Sequence, residues 1–587
     1  MLSRTIRAFL LLMASAVAAC GGGSDAAPRS TAIRVPTTTG ATPAFTLTPT
    51  AIKSFRFNWN DAADETGYRL FEDPDGASGY SPIAELPANT TQYEHEVFLP
   101  ERVNARYRLQ VCKNLDCVDA AELGVSGNLA QAIGYFKASD PADNDRFGYG
   151  LAFSANGQFL AVGAPNRNAS NGGSGKVHVF SREGTAWQQR ALLKSPTPQP
   201  SDQFGSDLAW STDGDTLAVG APGTDARTGA VFVFTREGAT WGSVARVEAL
   251  NAGLNDQFGQ RIALSGDGRT LAAGAENESG DASTINGPDN DNKRSSGAAY
   301  VFTHAGGGWT QQAYIKAFNP DPFDFFGRAL ALSADGQTLA VGAPGESSAS
   351  RGIGGDPDDN TVLNSGAVYV FSRSMDSWHQ QAYVKASNTQ LTAEFGGALA
   401  LSADGRVMAV GSLGESGGAT GIDGDQDNTA GNRSGAAYVF GREGTQWRQT
   451  SYIKASNAEA DDLFGASVAL SIDGGTLAVG ALAEGSDARG LNGDQGSNES
   501  PRVGAVYVYR HTATGWRQEA YLKPSNTVRG HVSGFGAALA LSGRLDGTTT
   551  QGMALAVACP YASNTSSGIG GDQTDKSGSD VGAVYLY

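Results

Sequence analysis

The pair Phe-Gly recurs seven times in the second part of the chain, at Phe147-Gly148, Phe204-Gly205, Phe258-Gly259, Phe326-Gly327, Phe395-Gly396, Phe464-Gly465 and Phe535-Gly536, with spacings of 54 to 71 residues. Most copies continue with A-L-A-L-S, an Asp-Gly turn and T-L-A-V-G-A-P or a near variant. A loop, the run G-A-V-Y-V-F, a short turn and W-x-Q-Q-A-Y-I-K-A-S then complete the unit. Nearly all the length variation falls in the loop ahead of G-A-V-Y-V-F. A unit this short cannot bury its apolar residues alone, so the copies must stack on one another.

Each unit contains four short β runs. The Asp-Gly pair, as at Asp335-Gly336, favours the positive φ of a tight hairpin turn between the first two. T-L-A-V-G-A is apolar on both faces, as befits a strand buried between sheets, while the fourth run alternates like a half-exposed edge. With 78 Gly and 22 Pro in 587 residues, composition agrees with many short strands and turns. Seven four-stranded units predict an all-β fold, a seven-bladed β-propeller over residues 131–587. The seventh unit stops after three strands at G-A-V-Y-L-Y. Its missing fourth strand lies ahead of the first Phe-Gly, in Q-A-I-G-Y-F-K-A-S, so residues 131–138 are expected to pair with 582–587 and close the ring.

Phe-Gly followed by Gly-Ala-Pro in repeated copies resembles the FG-GAP family, whose best-known members are the integrin α-subunit propellers. That resemblance implies the propeller, adhesion-like roles and, in some members, a calcium loop between the two motifs. The corresponding stretches here (S-A-N-G-Q, S-T-D-G-D, S-G-D-G-R, S-A-D-G-Q, S-A-D-G-R, S-I-D-G-G) hold at most two acids each. Calcium needs six to eight oxygens, so these stretches read as turns and the family's site does not carry over.

Five later loops are better supplied with acids: 285–292, 353–360, 422–428, 491–498 and 569–575, sharing an apolar-x-Gly-Asp core that the first varies to Ile-Asn-Gly-Pro. One reading is cation or ligand binding, with Asp356, Asp358, Asp359, Asp423, Asp425 and Asp427 as the candidate calcium ligands. The other is a structured surface loop whose Asp and Asn make local turn bonds while the Ile or Leu tucks inward. Trp187, Trp241, Trp309, Trp378, Trp447 and Trp516, one per unit, read as packing between units rather than a sugar-stacking ring. Lys137, Lys316, Lys385, Lys454 and Lys523 read as local ion pairs with the acidic start of the next unit. His178 reads as a strand residue and Cys559 as a buried, inert thiol.

Residues 43–128 carry no repeat. F-R-F-N-W, Y-R-L-F and A-R-Y-R-L-Q-V alternate as strands. Trp59, Tyr68, Leu99 and Tyr107 fall where a fibronectin type III domain keeps its core Trp, strand Tyr, and Leu plus corner Tyr. The resemblance implies a seven-stranded sandwich. Cys112 and Cys117, five apart at a strand-loop-strand corner, are expected to form a disulfide.

Residues 1–19 have the Arg4/Arg7 n-region and the Ala8–Val17 apolar run of a signal peptide. Val17-Ala18-Ala19-Cys20 resembles the lipobox of bacterial lipoproteins, which implies lipidation of Cys20 and a flexible tether over 20–42; ordinary cleavage beside an incidental cysteine is the other reading. Gly21 after the cysteine points to the outer membrane of a Gram-negative cell. The net charge of −17 argues against nucleic-acid partners. No H-E-x-x-H, P-loop or Cys–His pairing is present. The expectation is a non-enzymatic, monomeric envelope protein, anchored to the membrane and presenting the propeller's loops to a protein or glycan. A polysaccharide lyase or hydrolase and an envelope-assembly scaffold are the alternatives.

Overall fold

The computed structural model describes residues 44–50, 52–126, 129–166, 172–500, 502–527, 533–543 and 553–587. The expected signal peptide, Cys20 and the tether lie outside them. Residues 43–587 form one compact unit.

Its first part is a sandwich of seven strands: β1 (Thr46–Thr50), β2 (Ser54–Asn58), β3 (Gly67–Asp73), β4 (Ser81–Pro87), β5 (Gln92–Glu96), β6 (Arg106–Lys113) and β7 (Asp116–Gly124). One sheet has the order β1-β2-β5 and the other β4-β3-β6-β7. Alternation along β2, β3 and β6 sends Phe55, Phe57, Tyr68, Leu70, Tyr107 and Leu109 into the core with Trp59 and Leu99. Cys112 and Cys117 are direct cross-strand partners of the β6–β7 hairpin and are disulfide-bonded, with Cα atoms 4.0 Å apart.

The sandwich is docked on the repeats. The turn Leu129–Ala132 and Ile133 share a core cluster with Leu555 and Tyr587. The Lys53 N–H donates to the Ala132 carbonyl at 2.7 Å, and its buried ammonium reaches both Glu96 and the Met553 carbonyl. Arg182 meets Glu96, and Arg517 meets Asp75 at 3.5 Å.

The second part consists of seven antiparallel sheets in chain order. The fourth shows the plan: Ala329–Leu332, Thr338–Ala343, Ala367–Ser374 and Ser377–Val384, each paired to the next. The sixth adds a short fifth strand, Gly490–Leu491, outside its fourth. The seventh takes its fourth strand from far upstream: β8 (Gly134–Phe136) pairs with Ala583–Leu586 in the register Phe136–Val584, Tyr135–Tyr585 and Gly134–Leu586. The innermost strands of successive sheets touch all the way round, and the last, Leu539–Leu541, touches the first, Leu151–Phe153. The sheets therefore close into a propeller without an open seam, which removes the exposed edges a linear stack would leave.

The two glycines of the repeated motif meet between blades. A Cβ on Gly342 would fall 2.0 Å from the carbonyl oxygen of Gly396 in the next Phe-Gly, and Gly396 itself holds φ at +90°. No larger residue fits the first position without moving backbone. The adjoining Phe395 is fully buried and bridges to Gly366 of the preceding blade. The Asp-Gly turns lie at the opposite end of the inner strands. In the five Asp-Gly turns of blades two to six the Asp side chain closes the turn, as Asp335 does by accepting from Ser333 Oγ and the Gln337 N–H. Gly266 N–H donates to Ala334 O, Ala334 N–H to Ala403 O and Ala403 N–H to Ile472 O, linking the turns from blade to blade at 2.8 to 2.9 Å.

Topology separates two ends. Phe-Gly begins the first strand and Gly-Ala-Pro ends the second, so both motifs and the long loops share one end. The sandwich docks at the other: its contacts Met553 and Tyr587 begin a second strand and end a third, beside the Asp-Gly turns.

Candidate ligand face and axial pocket

The five long loops fold back on the outermost strands by a shared device. After the apolar residue, Asn286, Gly354, Asp423, Asn492 and Gly570 all have φ between +50° and +74°. Each donates its backbone N–H to a fourth-strand tyrosine carbonyl: Tyr314, Tyr383, Tyr452, Tyr521 and Tyr135. Only Gly, Asn and Asp take that backbone region readily, which explains the restricted choice at this position. Asn286, Asp423 and Asn492 also accept the same tyrosines' N–H groups at 2.8 to 2.9 Å.

The next acid closes a turn. Asp356 accepts from the Asp358 N–H, Asp425 from Asp427, Asp494 from Gly496 and Asp572 from Thr574. Asp359 accepts from Thr361, and exposed Asp427 lies 4.0 Å from Arg351 of the neighbouring blade. Among the described residues no three His, Cys, Asp or Glu side chains converge on one point. Asp356, Asp359 and Asp425 thus spend a carboxylate oxygen on their own turns, Asp423 spends one on the Tyr452 N–H and Asp427 faces Arg351, so among the described residues the candidate carboxylates do not converge.

Acids and lysines do meet elsewhere, deep in the blades. Glu278, Glu346, Glu415 and Glu484, each a few residues beyond the second strand, bind Lys316, Lys385, Lys454 and Lys523 at 2.5 to 2.7 Å. Tyr314, Tyr383, Tyr452 and Tyr521 donate their hydroxyls to the same carboxylates at 2.8 to 3.0 Å. Both charges of each pair are buried; burial pushes the lysine ammonium groups down, and the facing glutamates oppose it. Four of the five lysines are ion-paired as expected, but with the glutamate of their own unit rather than the acid opening the next; Lys137 instead donates to the carbonyls of Asn564 and Gly582. A Glu recurring four residues after the Gly that opens Gly-Ala-Pro or its variants was the available sign, and residue type alone did not distinguish it from loop composition.

The innermost strands surround a cavity of about 340 Å³ at the long-loop end, lined by residues from all seven blades. One wall is small and apolar: Ala329, Ala398, Ala466, Ala537 and Ala538. The other carries Tyr149, Asp207 and Arg261, with Tyr561 at the seam. Asp207 accepts from the Ile262 N–H at 2.8 Å. Burial raises its carboxyl above the usual range, and Arg261 opposes that rise. Burial works against the Arg261 charge too, but Asp207 foremost, then Tyr149 and Glu276, raise it overall. Beside the pocket, Arg328 pairs with Glu276 at 3.0 Å. Sequence reasoning placed the variation between copies mainly in the loops and missed these. Tyr149, Asp207 and Arg261 stand one or two residues after their Phe-Gly, where the sign was Y-G, S-D and Q-R against R-A, G-A and A-A.

The remaining candidates are packing residues. Trp378 and Trp447 donate indole N–H groups to Gln312 and Gln381 of the preceding blades. His178 is buried beside Phe147, and burial pushes its imidazole down to about 4. Cys559 is buried and burial pushes its thiol up to about 11. A single G-x-S-x-G run, residues 414–418, holds Glu415 of the buried pairs and no helix follows it, so it is not a nucleophile elbow.

Comparison with known proteins agrees with the repeat. Among solved structures, the chain is similar to Kuenenia stuttgartiensis hydrazine synthase (11% identity, TM-score 0.39, 69% of this chain and 91% of that one). It is also similar to the RRP9 WD40 repeats (9%, 0.41, 77% and 96%) and to the β-propeller domain of the Trilobed protease from Pyrococcus furiosus (8%, 0.33, 81% and 97%). No curated protein matches. The FG-GAP repeat matches residues 134–180, 187–234, 241–302, 309–371 and 447–509. Each match starts on or beside the outermost strand of one blade and ends in the third strand of the next, so the chain is a β-propeller that carries FG-GAP repeats in five matched places.

Proposed function

We propose that this is a binding protein that presents the long-loop end of its propeller, with the axial pocket at its centre, to a protein or glycan. The observation that carries the reading is the placement of the sandwich. It docks at the Asp-Gly end, against blades one, six and seven, whereas the non-repeating residues and the variable loops gather at the other end. A pocket with one apolar wall and a facing Asp–Arg pair suits a ligand with both apolar and hydrogen-bonding surface. The signal sequence and Cys20 complete the proposal: a lipid anchor in the outer membrane of a Gram-negative cell, with the docked sandwich between anchor and propeller.

The test is a binding screen of the 43–587 chain against bacterial surface polysaccharides and envelope proteins, followed by three variants. Replacing loops 353–360 and 422–428 by Gly-Ser of equal length, or changing Arg261→Ala, should abolish or weaken binding. Changing the opposite-end turn residue Arg406→Ala should not. Turnover of a polysaccharide, lost in Asp207→Asn, would replace this reading with the enzyme.

A further inference from the structure

Blade seven keeps the tyrosine and the lysine of the buried pairs but has lost their glutamate. Tyr135 and Lys137 occupy the register of Tyr383 and Lys385, and the Lys137 N–H donates to Gly568 O as Lys385 does to Gly352 O. The position of Glu346 is taken by Ala562, since V-G-A-P-G-E-S-S aligns with V-A-C-P-Y-A-S-N. Lys137 is fully buried; its ammonium holds the carbonyls of Asn564 and Gly582, leaving its third proton unassigned.

The space the carboxylate would fill is open. A cavity of about 60 Å³ is lined by Tyr135, Asn526, Cys559, Ala562, Asn564 and Tyr585, among others, several times what one water requires. The Tyr135 hydroxyl is buried and has no hydrogen-bond partner; Ser566 is near enough to affect its acidity without closing a bond. In the intact blades the carboxylate also takes a backbone N–H from Gly280, Ser348 or Ser486, whose counterpart here is Asn564. It takes a side-chain amide from Asn388 or Asn457, whose counterpart is Asn526. Asp575 lines the same cavity, but its carboxylate is already held by Thr565 and Ser577.

We propose that this cavity binds a carboxylate from outside the chain, seated where the glutamate carboxylate lies in blades three to six and held by Tyr135, Asn564, Asn526 and Lys137. Four copies of the same cradle, each filled by a carboxylate, define the chemistry of the fifth. The ligand is a free small acid or the acidic group of a larger molecule, since the cavity admits little beyond the carboxylate itself. The inference stands apart from the proposed function: it concerns one blade and, apart from Tyr561, which lines both cavities, none of the residues of the axial pocket.

The test is thermal unfolding of the 43–587 chain titrated with sodium formate, acetate or glucuronate, against sodium chloride at equal ionic strength. A saturable rise in Tm with formate or acetate is expected, absent with chloride. A rise with glucuronate as well would show that a sugar-borne acid enters; formate and acetate alone would show that only a free small acid does. Tyr135→Phe should fold normally and weaken binding about five- to tenfold. Ala562→Glu should restore the internal carboxylate, raise Tm without added acid and abolish the response. No response beyond chloride in the unaltered protein, or an undiminished response in Ala562→Glu, overturns the proposal.

Discussion

Blades three to six and blades one and two are built on the same four strands, yet they differ in opposite respects. The later group carries the long Asp loops and the buried Lys–Glu–Tyr clusters, and its pocket wall is mostly alanine. The earlier group has Thr224 where a glutamate would stand and an exposed Lys194 where the buried lysine would, and it supplies Tyr149 and Asp207 to the pocket. Regular repetition here marks residues that hold blades together, and chemistry able to discriminate ligands sits where the repeat breaks. Blade seven, which keeps Tyr135 and Lys137 without their glutamate, is a break of the same kind.

Substitutions can break or sharpen this contrast. Glu415→Ala would leave Lys454 buried without its counter-charge and should cost about 3–5 kcal/mol in urea unfolding. Thr224→Ala, at the same register in blade two, should cost under about 1 kcal/mol; equal losses would erase the distinction between the groups. Gly342→Ala drives a methyl group into the Gly396 carbonyl and should cost about 3 kcal/mol. At Gly352, where φ is +73° and nothing lies within 4 Å, alanine should cost about 1 kcal/mol.

Asp324, just ahead of its Phe-Gly, tests the electrostatics of the later group. Burial, with the charges of Glu346 and Asp321, pushes its carboxyl up to about 8. A carboxyl raised on folding contributes stability that is full below its unfolded pKa near 3.8 and is lost as pH rises through about 8. Asp324→Asn should therefore flatten the stability profile between those limits and gain about 2 kcal/mol at pH 8. A steeper profile in the variant would contradict the assignment. Removing the disulfide with Cys112→Ser and Cys117→Ser should cost the sandwich about 2 kcal/mol, given the short loop closed. The smallest effect is expected from calcium: adding it, or chelating it, should leave Tm unchanged within about 1 °C, because the aspartates of loops 353–360 and 422–428 do not converge.

Local patterns were readable wherever one short segment determines its own geometry. Asp335-Gly336 specifies its hairpin because the Asp oxygen and the glycine φ act within five residues. The alternation in F-R-F-N-W, Y-R-L-F and A-R-Y-R-L-Q-V identified β2, β3 and β6 as strands, and Phe57, Tyr68 and Tyr107 are buried along them. The stray Q-A-I-G-Y-F-K pointed to its strand mates at the far end of the chain because both carry the same repeat. The lysine partners were misread because the nearer acid in sequence is not the nearer in space. The glutamate comes back to its lysine only when the long loop folds against the fourth strand. Asp207 and Arg261 were passed over because each looks like a surface substitution in its own copy; seven inner strands must converge before they share one cavity.

By itself the sequence determined the repeat, the strand type and the need for neighbouring copies, since those follow from spacing and from which residues can be buried. Tertiary structure alone decided which charges meet, at which end the sandwich docks, where polar side chains gather on the axis and that one blade lacks its carboxylate. The reason is range. Turn chemistry and strand alternation act over a few residues, whereas burial of an ion pair, or of the empty place beside Tyr135, depends on groups brought together from hundreds of residues apart.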